Sequence, residues 1–307
     1  MIERVTELGR RVSGAARRRT GDRVVWLLPR RSFVRFAYRA VLGRAPDRDG
    51  LDHHVGLLSS GTSRQALLAL LRDSDEAAAR PAASDLVALH RSRQAFVRSL
   101  PAARRILDLG GTSLTDERGA LVGLGYPYSF EQVTIVDLPN EARHEGYLSE
   151  PVTDEVITAQ GPVRYRYHSM DDLSGIEDGS IDLVYSGQSF EHVTHEAGHR
   201  VLAEAHRVLG PGGYLCLDTP NRLVTERQLR GSGVDVIDPD HCIEYTHAQM
   251  LELFAEHGFE VCRAHGLGLM RSSAAEDRFD PDELRRGAGM FDDVDSSYLL
   301  AYVCRAI

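Results

Sequence analysis

Two segments of the chain carry residue types that suit a nucleotide-like cofactor. A short apolar run contains Asp108 and leads into the pair Gly110 and Gly111, and a later apolar run ends in Asp137. Glycine lets the backbone turn sharply toward a ligand, and a carboxylate at the end of a neighbouring strand can accept hydrogen bonds from ribose hydroxyls. The two segments together predict a cofactor site at the ends of two adjacent strands.

A glutamate–histidine pair, Glu191 and His192, follows a predicted strand over 181–186. Histidine titrates near neutral pH, so His192 could accept the proton of a reacting hydroxyl group while Glu191 orients it. The alternative is that both side chains brace the cofactor loop. The pair is therefore a candidate catalytic group with a structural alternative.

A second set of candidate groups lies in the segment 238–246. Its acids and histidine are Asp238, Asp240, His241 and Glu244. These four could bind a divalent cation such as Mg²⁺ that holds a substrate diol. His241 could instead act alone as the catalytic base, or Asp240 and Thr246 could cap turns while His241 packs on the cofactor loop. The residue types leave all three interpretations open.

From about residue 85, strand and helix patterns alternate, which is typical of a doubly wound sheet. Strands are predicted near 105–109, 132–137, 163–167, 181–186, 213–218, 259–264 and 297–304. Helices are predicted near 86–99, 115–124, 196–209 and 247–257. The two last strands enclose an insertion, which indicates a closing hairpin pair. The predicted fold class is α/β, a doubly wound Rossmann-like seven-stranded sheet with a closing antiparallel strand.

Three regions are predicted: an Arg-rich arm over 1–30, a small helical module over 31–80 and the α/β domain over 85–307. Residues 1–45 hold twelve arginines and three acids, a net charge of +9, whereas the whole chain carries −9. A basic arm on an acidic body can contact anionic lipid, or it can be a solvated lead-in. The sequence thus allows peripheral membrane contact, and the acidic domain disfavours nucleic acid.

The cysteines and the apolar runs favour a cytoplasmic protein. The four cysteines are widely spaced, without the pairs of a zinc ribbon or a disulfide scaffold. The apolar run over 24–28 is too short to span a bilayer. We expect reduced thiols and a cytoplasmic location that includes the membrane surface, and the oligomeric state stays open.

Several segments in consistent order resemble the class I S-adenosylmethionine-dependent methyltransferases. They are 106–111, 135–137, 169–173, 177–184, 186–193, 207–214 and 256–259. The resemblance implies S-adenosylmethionine as the cofactor, and it assigns cofactor contacts to Asp108, Gly110, Gly111, Thr112, Asp137, Leu138, Met170, Asp171, Ser186 and Gln188. The chain departs from the family where Thr112 and Ser113 follow the glycine pair in place of further glycines.

The segment 33–50 resembles a small bacterial helical module of unknown function that is often attached to cell-surface or glycan-related proteins. Together with the acids and histidines of the α/β domain, this implies O-methylation of a sugar, a polysaccharide precursor or a related hydroxylated small molecule. O- or N-methylation of a secondary metabolite is the alternative within the class. A nicotinamide-dependent oxidoreductase and a non-catalytic binding module are the alternatives from other classes.

Overall fold

The protein is described here by a computed structural model. The described residues are 29–42, 44–72, 74, 76, 85–113, 116–139, 155–230, 236–238 and 240–307. The chain divides into two compact units, with the boundary between Val87 and Ala88. Almost all of the predicted arm lies outside the described residues, so its proposed membrane contact stays a prediction.

Among its described residues, the first unit contains the helices α1 (Arg30–Leu42), α2 (Arg48–Ser59) and α3 (Arg64–Arg72). Asp47 begins α2 by accepting a hydrogen bond of 2.7 Å from the backbone N–H of Gly50, and this caps the helix as a short acid can. The helices pack through apolar residues spaced three and four apart, among them Phe33, Ala37, Val41, Leu67 and Leu71. This unit is thus a small helical bundle with its own apolar core.

The second unit is built on a mixed sheet. Its strands are β1 (Arg105–Leu109), β2 (Gln132–Asp137), β3 (Glu155–Ile157), β4 (Pro162–Tyr167), β5 (Ile181–Gly187), β6 (Leu209–Pro220), β7 (Phe259–Leu269), β8 (Met290–Phe291) and β9 (Ser297–Ala306). Within the described part of the chain their order is β3-β4-β2-β1-β5-β6-β9-β7-β8. Strands β4, β2, β1, β5 and β6 run parallel, whereas β9 is antiparallel to both β6 and β7.

The remaining elements of this unit are helices and one short turn. The helices are α4 (Asp85–Arg98), α5 (Gly119–Gly123), α6 (His195–Val208), α7 (Arg222–Leu229), α8 (His247–Glu256), α9 (Arg271–Ala275) and α10 (Pro281–Arg286). A 3₁₀ turn covers Phe190–His192. Apolar side chains from β1, β5, β6, α6, α8 and β9 form the main core. Parallel strands with both faces covered read as continuous apolar runs, which is why β1, β2 and β5 were recognisable in the sequence.

The observed fold confirms the predicted α/β class, and all seven predicted strands are present. Two short edge strands, β3 and β8, extend the sheet beyond the predicted seven. Helix α5 is shorter than predicted, since it covers only Gly119–Gly123. No helix in the described ranges is long and apolar enough to cross a membrane.

The order of the central strands fixes where a ligand can bind. β1 lies between β2 and β5, so the chain leaves β1 toward one side of the sheet and later returns to the other side. In open α/β sheets, ligands bind in the crevice at the carboxyl ends of the strands where this reversal occurs. Asp108, Asp137, Ser186 and Asp218 all lie at or near that edge.

Candidate active site

The glycine pair after β1 forms a tight turn between neighbouring strand ends. Gly110 has a φ of +69°, a conformation that side chains with a Cβ rarely adopt. A Cβ on Gly110 would also collide with Ser189, and one on Gly111 would collide with the carboxyl group of Asp108. The backbone N–H of Gly110 donates to Val136 O at 2.8 Å, which ties the turn to β2. Both positions therefore require glycine for steric reasons.

Asp108 lies directly beneath this turn and is 1 % exposed. Its Oδ2 accepts a hydrogen bond of 3.3 Å from the N–H of Leu121, whereas its Oδ1 is buried and has no hydrogen-bond partner among the described residues. Burial raises the pKa of Asp108 to about 7. A buried oxygen without a partner is costly, so Asp108 is a group that a ligand or its hydration shell would satisfy.

The acid at the end of β2 is positioned by two backbone donors. Thr112 N donates to Asp137 Oδ2 at 3.1 Å, and Leu138 N donates to Asp137 Oδ1 at 2.8 Å. The first hydrogen bond joins the loop after β1 to the end of β2. The Asp137 carboxylate therefore lies at the strand end where the ribose acceptor is predicted.

The two predicted contacts after β4 lie in different environments. The Met170 side chain lies near Gly110, because its Cε would be 3.6 Å from a Cβ at that position. Asp171 instead accepts hydrogen bonds from Ser169 and Arg200, with 2.8 Å to the Arg200 guanidinium. These hydrogen bonds, that from Ser169 first, hold the pKa of Asp171 below its usual value. The structure thus brings Met170, but not Asp171, to the glycine turn.

The segment after β5 is joined to the end of β1. Ser186 and Ser189 hydroxyls lie 2.7 Å apart, and Ser189 donates to Leu109 O at 2.8 Å. Gln188 has a φ of +54°, which is unusual for a residue other than glycine. Backbone strain of this kind persists only where the surroundings enforce it and is frequent at functional sites. Ser189 thus joins Ser186 to the end of β1, and the cofactor contacts of Ser186 and Gln188 stay predictions.

Asp218, which sequence reasoning missed, enforces that strained conformation. Gln188 donates through its backbone N–H to Asp218 O at 2.9 Å and through Nε2 to Asp218 Oδ1 at 3.0 Å. Tyr185 and Arg93 also donate to the Asp218 carboxylate, each at 2.7 Å. The available signal was an acid inside the buried run 215–220, by the same reasoning that singled out Asp108 and Asp137.

Glu191 is fully buried at the centre of the candidate catalytic groups. Its Oε2 accepts a hydrogen bond of 3.0 Å from Thr219 Oγ1, and its Oε1 has no hydrogen-bond partner within the described ranges. Burial raises the pKa of Glu191 to about 7. The Glu191 backbone carbonyl also accepts from the N–H groups of Cys242 and Ile243, at 2.8 and 3.2 Å. These backbone hydrogen bonds connect the segment that carries His241 to the turn after β5.

The two candidate histidines meet at this junction. The rings of His192 and His241 are 4.9 Å apart, edge to face. His192 Nδ1 lies 3.0 Å from Asp240 O, and because a carbonyl only accepts, Nδ1 carries the proton and Nε2 is the acceptor nitrogen. His241 Nδ1 lies 2.7 Å from Glu244 Oε1. Both rings are thus held through Nδ1, and in His241 this makes Nε2 the basic atom.

Glu244 is a buried carboxylate that supports His241. It also accepts from Thr225 Oγ1 and, at 3.0 Å, from the N–H of Ile237. Burial alone would raise the pKa of Glu244, but its hydrogen bonds with His241, Thr225 and Ile237 outweigh burial and lower it. Burial likewise opposes the charged form of His241, but Glu244 and the nearby acids outweigh it and raise the pKa of His241. The pair stabilises a proton on His241.

Potential metal ligands converge in two places among the described residues. In each group, one ligand atom from every residue lies within 4.8 Å of the others; the groups are Glu191 with His192 and His241, and His199 with Glu256 and His257. Of the four predicted metal ligands, His241 and Glu244 touch each other. His241 converges with Glu191 and His192, and Asp238 and Asp240 belong to neither group.

Three features of this chain fit an adenosine-containing cofactor. The glycine turn leaves no room for a Cβ, and a buried carboxyl oxygen beneath it lacks a partner among the described residues. The neighbouring strand ends in an acid, Asp137. The fold is thus an α/β fold whose topological switch point carries a candidate site for a nucleotide-type cofactor.

Two parts of the chain match known family models. Residues 120–217 match the family model described as "Methyltransferase domain". Residues 28–80 match a family described as "Domain of unknown function (DUF4214)". Residues 120–217 are thus similar to a methyltransferase domain, in agreement with the class that the sequence motifs predicted.

Curated methyltransferases are similar to part of the chain. A probable S-adenosylmethionine-dependent methyltransferase of Mycolicibacterium smegmatis is 34% identical over 132 residues, which are 39% of this chain and 48% of the relative. A ubiquinone biosynthesis O-methyltransferase of Xanthomonas oryzae pv. oryzae is 33% identical over 141 residues, 44% of this chain and 51% of the relative. The chain thus spans about half the length of the curated relatives it matches.

Solved structures of methyltransferases are also similar. A Thermotoga maritima structure described as a possible histamine N-methyltransferase has a TM-score of 0.49 at 17% identity and covers 71% of this chain and 89% of its own. A putative methyltransferase in complex with the Haloferax volcanii Trm112 activator has a TM-score of 0.47 at 20% identity, with the same coverage of both chains.

Proposed function

We propose that this protein transfers the methyl group of S-adenosylmethionine to a hydroxyl group of a sugar, a polysaccharide precursor or a related hydroxylated small molecule. The observation that carries the proposal is the junction of the glycine turn with the His241–Glu244 pair through the segment after β5. Ser189 ties that segment to β1, and Glu191 ties it to the segment with His241. A cofactor site and a basic group are therefore joined by direct contacts.

The chain's residues divide the work of methyl transfer. The bound sulfonium supplies an electrophilic methyl group, so the protein must align the acceptor and exclude water. Asp137 and the glycine turn would hold the cofactor. A sugar or phenol hydroxyl keeps its proton at neutral pH, and His241 Nε2 would accept it as the hydroxyl oxygen attacks. Glu244 stabilises the imidazolium that results.

The chemistry of the base favours an oxygen acceptor. An unprotonated amine can attack without a base, whereas a hydroxyl group benefits from a buried His–Glu pair such as His241–Glu244. The curated relatives named ubiquinone biosynthesis O-methyltransferases support oxygen as the acceptor atom. The resemblance of the first unit to glycan-associated modules supports a sugar over a phenol. A secondary-metabolite hydroxyl is the second candidate, because the same base would serve it.

A divalent cation is a second way to activate the hydroxyl. Glu191 presents a buried oxygen without a partner among the described residues, and His192 and His241 add two imidazole nitrogens within reach. Carboxylate and imidazole suit Mn²⁺, Fe²⁺ or Zn²⁺ better than Mg²⁺, which prefers oxygen ligands throughout. An ion there would lower the pKa of a bound hydroxyl group.

The proposal is tested by incubating the protein with S-adenosylmethionine carrying a labelled methyl group and panels of sugars and phenols. Products are identified by mass spectrometry, with and without EDTA. We expect a labelled methyl ether, and His241→Gln should lower kcat about 100-fold or more while leaving cofactor affinity nearly unchanged. Methylation of amines alone, or full activity of His241→Gln, would contradict the proposed acceptor chemistry. Loss of activity in EDTA that Mn²⁺ restores would favour the cation.

A further inference from the structure

We propose that His199, Glu256 and His257 form a binding site for a divalent transition-metal ion of the zinc type, separate from the candidate active site. His199 lies on α6, and Glu256 and His257 lie at the end of α8. His199 Nδ1 is 2.9 Å from His257 Nε2 and 3.9 Å from Glu256 Oε2. Three ligand atoms from two helices thus face one another on the protein surface.

The distances suit a tetrahedral ion. Zinc binds imidazole nitrogen and carboxylate oxygen at about 2.0–2.2 Å, so its ligand atoms lie roughly 3.3 Å apart. The observed separations of 2.9 and 3.9 Å lie on either side of that value. Glu256 is 61 % exposed, so its carboxylate can move closer without disturbing the core. A water molecule would complete the coordination, which leaves the site open to solvent.

Neighbouring groups hold His199 in the orientation that metal binding requires. The opposite nitrogen of His199, Nε2, lies 3.3 Å from His195 Nε2, one helical turn away on α6. His195 Nδ1 in turn lies 3.3 Å from the hydroxyl of the buried Tyr245. In one of the two sets of tautomers that satisfy both contacts, His199 donates to His195 and His195 donates to Tyr245. His199 Nδ1 is then unprotonated, and outer partners of this kind orient histidine ligands in metal sites.

The position of the site favours a cation for a further reason. Glu256 is the last residue of α8 and His257 is its C-cap. The C-terminal end of a helix carries partial negative charge, which stabilises a nearby cation. Nothing comparable supports the four residues of segment 238–246 as a separate metal site.

A metal ion here would link the two helices that extend from the active-site walls. α6 begins just after His192, with Thr194 as its N-cap. α8 begins just after Glu244, with Thr246 in a capping box. Because both helices belong to the same core, the ion would stabilise the folded protein by binding to it and not to the unfolded chain. The site goes beyond the proposed methyl transfer, and its existence does not depend on that activity.

Calorimetric titration of the metal-free full-length protein with ZnCl₂ tests the proposal. His257→Gln should weaken the binding event about tenfold or more. His168→Gln is the control, since His168 belongs to neither convergent group, and it should bind as the unchanged protein does. His241→Gln, which alters the other convergent group, should retain the event. Co²⁺ absorption should show the same pattern, with a tetrahedral spectrum lost only in His257→Gln.

Any one of three results would overturn the assignment. The first is a His257→Gln protein that melts at the unchanged temperature in EDTA and binds Zn²⁺ with unchanged affinity and stoichiometry. The second is unaltered Zn²⁺ binding by Glu256→Gln, which should also weaken binding. This change lies at an exposed side chain, so it tests the site even if His257→Gln has a folding defect. The third is a Zn²⁺ binding event that is lost in His241→Gln alone, which would place the ion in the candidate active site instead.

Discussion

Arg93 on α4 and Asp218 on β6 form an ion pair of 2.7 Å that controls the segment after β5. The Asp218 carboxylate is fully buried, and the Arg93 side chain is 18 % exposed. The Asp218 carboxylate also accepts hydrogen bonds from Tyr185 and Gln188. The bond from Gln188 holds that residue in its left-handed conformation. A helix that precedes the first strand thus helps to shape the site at the ends of β1 and β5.

Removing one partner of this ion pair should destabilise the protein strongly. Arg93→Met leaves the buried Asp218 without its countercharge, and such losses typically cost 3–5 kcal/mol. Arg164→Met is the matched control, because Arg164 pairs with Glu155 at the same 2.7 Å but both side chains are more than a third exposed. The control should cost about 0–1 kcal/mol. Chemical denaturation measures both values, and equal losses would contradict the role of Asp218.

Gly110→Ala should destabilise the protein and impair cofactor binding. The change adds left-handed strain of about 1–2 kcal/mol and a collision with Ser189 that typically costs a further 1–3 kcal/mol. Gly212→Ala is the control, because Gly212 has a φ of +74° and open space around a Cβ. The control should be destabilised only by the left-handed strain, and its cofactor affinity should be unchanged. Thermal melts and calorimetry distinguish the two, and equal behaviour would show that the glycine turn is not tightly packed.

Asp108 makes the stability of the cofactor-free protein fall as pH rises. The ordinary pKa of an aspartate is 3.8, and burial raises the pKa of Asp108 in the folded protein to about 7. Its protonated form therefore favours folding fully below about pH 4, and that contribution is lost as pH rises through 7. The asparagine in Asp108→Asn does not ionise and still accepts a hydrogen bond from Leu121. The stability of this variant should therefore lack this pH-dependent loss.

Denaturation of Asp108→Asn and the unchanged protein across pH 4–8 checks this expectation. As pH rises, the free energy of unfolding of the variant should increase relative to that of the unchanged protein, by up to about 4 kcal/mol for a pKa shift of this size. Parallel stability curves for the two proteins would mean that Asp108 does not titrate in this range.

A substitution in the His241–Glu244 pair should slow proton transfer while leaving cofactor binding nearly unchanged. Glu244→Gln keeps a hydrogen-bond acceptor for His241 but removes the negative charge that stabilises its imidazolium. We expect kcat to fall by about tenfold or more and the Kd for the cofactor to stay within a few-fold. Thr225→Val, which removes a neutral donor to Glu244, should have a smaller effect on kcat. Equal loss of kcat and of cofactor affinity in Glu244→Gln would assign the pair a structural role.

The strands were predictable from sequence because parallel strands buried on both faces appear as uninterrupted apolar runs. The limits of β1 and β2 were predicted correctly to the residue. The edge strands β3 and β8 were missed because they contain only three and two residues and have no periodic pattern. The candidate cofactor residues at the strand ends could be proposed from the sequence for the same reason, since their positions follow from the strands themselves.

Contacts between distant segments were not predictable. Arg93 and Asp218 are 125 residues apart, and nothing in the helix pattern of α4 marks Arg93 as a partner for a strand end. The grouping of His241 with Glu191 and His192 depends on backbone hydrogen bonds from Cys242 and Ile243 to Glu191. A sequence indicates which residues could bind a metal or proton, whereas their grouping depends on how the long segment after β6 folds back.

The central claim is that the site at the ends of β1 and β2 binds S-adenosylmethionine. Calorimetric titration with S-adenosylmethionine and S-adenosylhomocysteine, with NAD as the control, tests it most directly. We expect saturable binding of both sulfur compounds and none of NAD, and Asp137→Ala should weaken binding about 10- to 100-fold, since hydrogen bonds to a charged acceptor contribute roughly 1.5–3 kcal/mol. Binding of NAD alone, or of neither sulfur compound, would contradict the account.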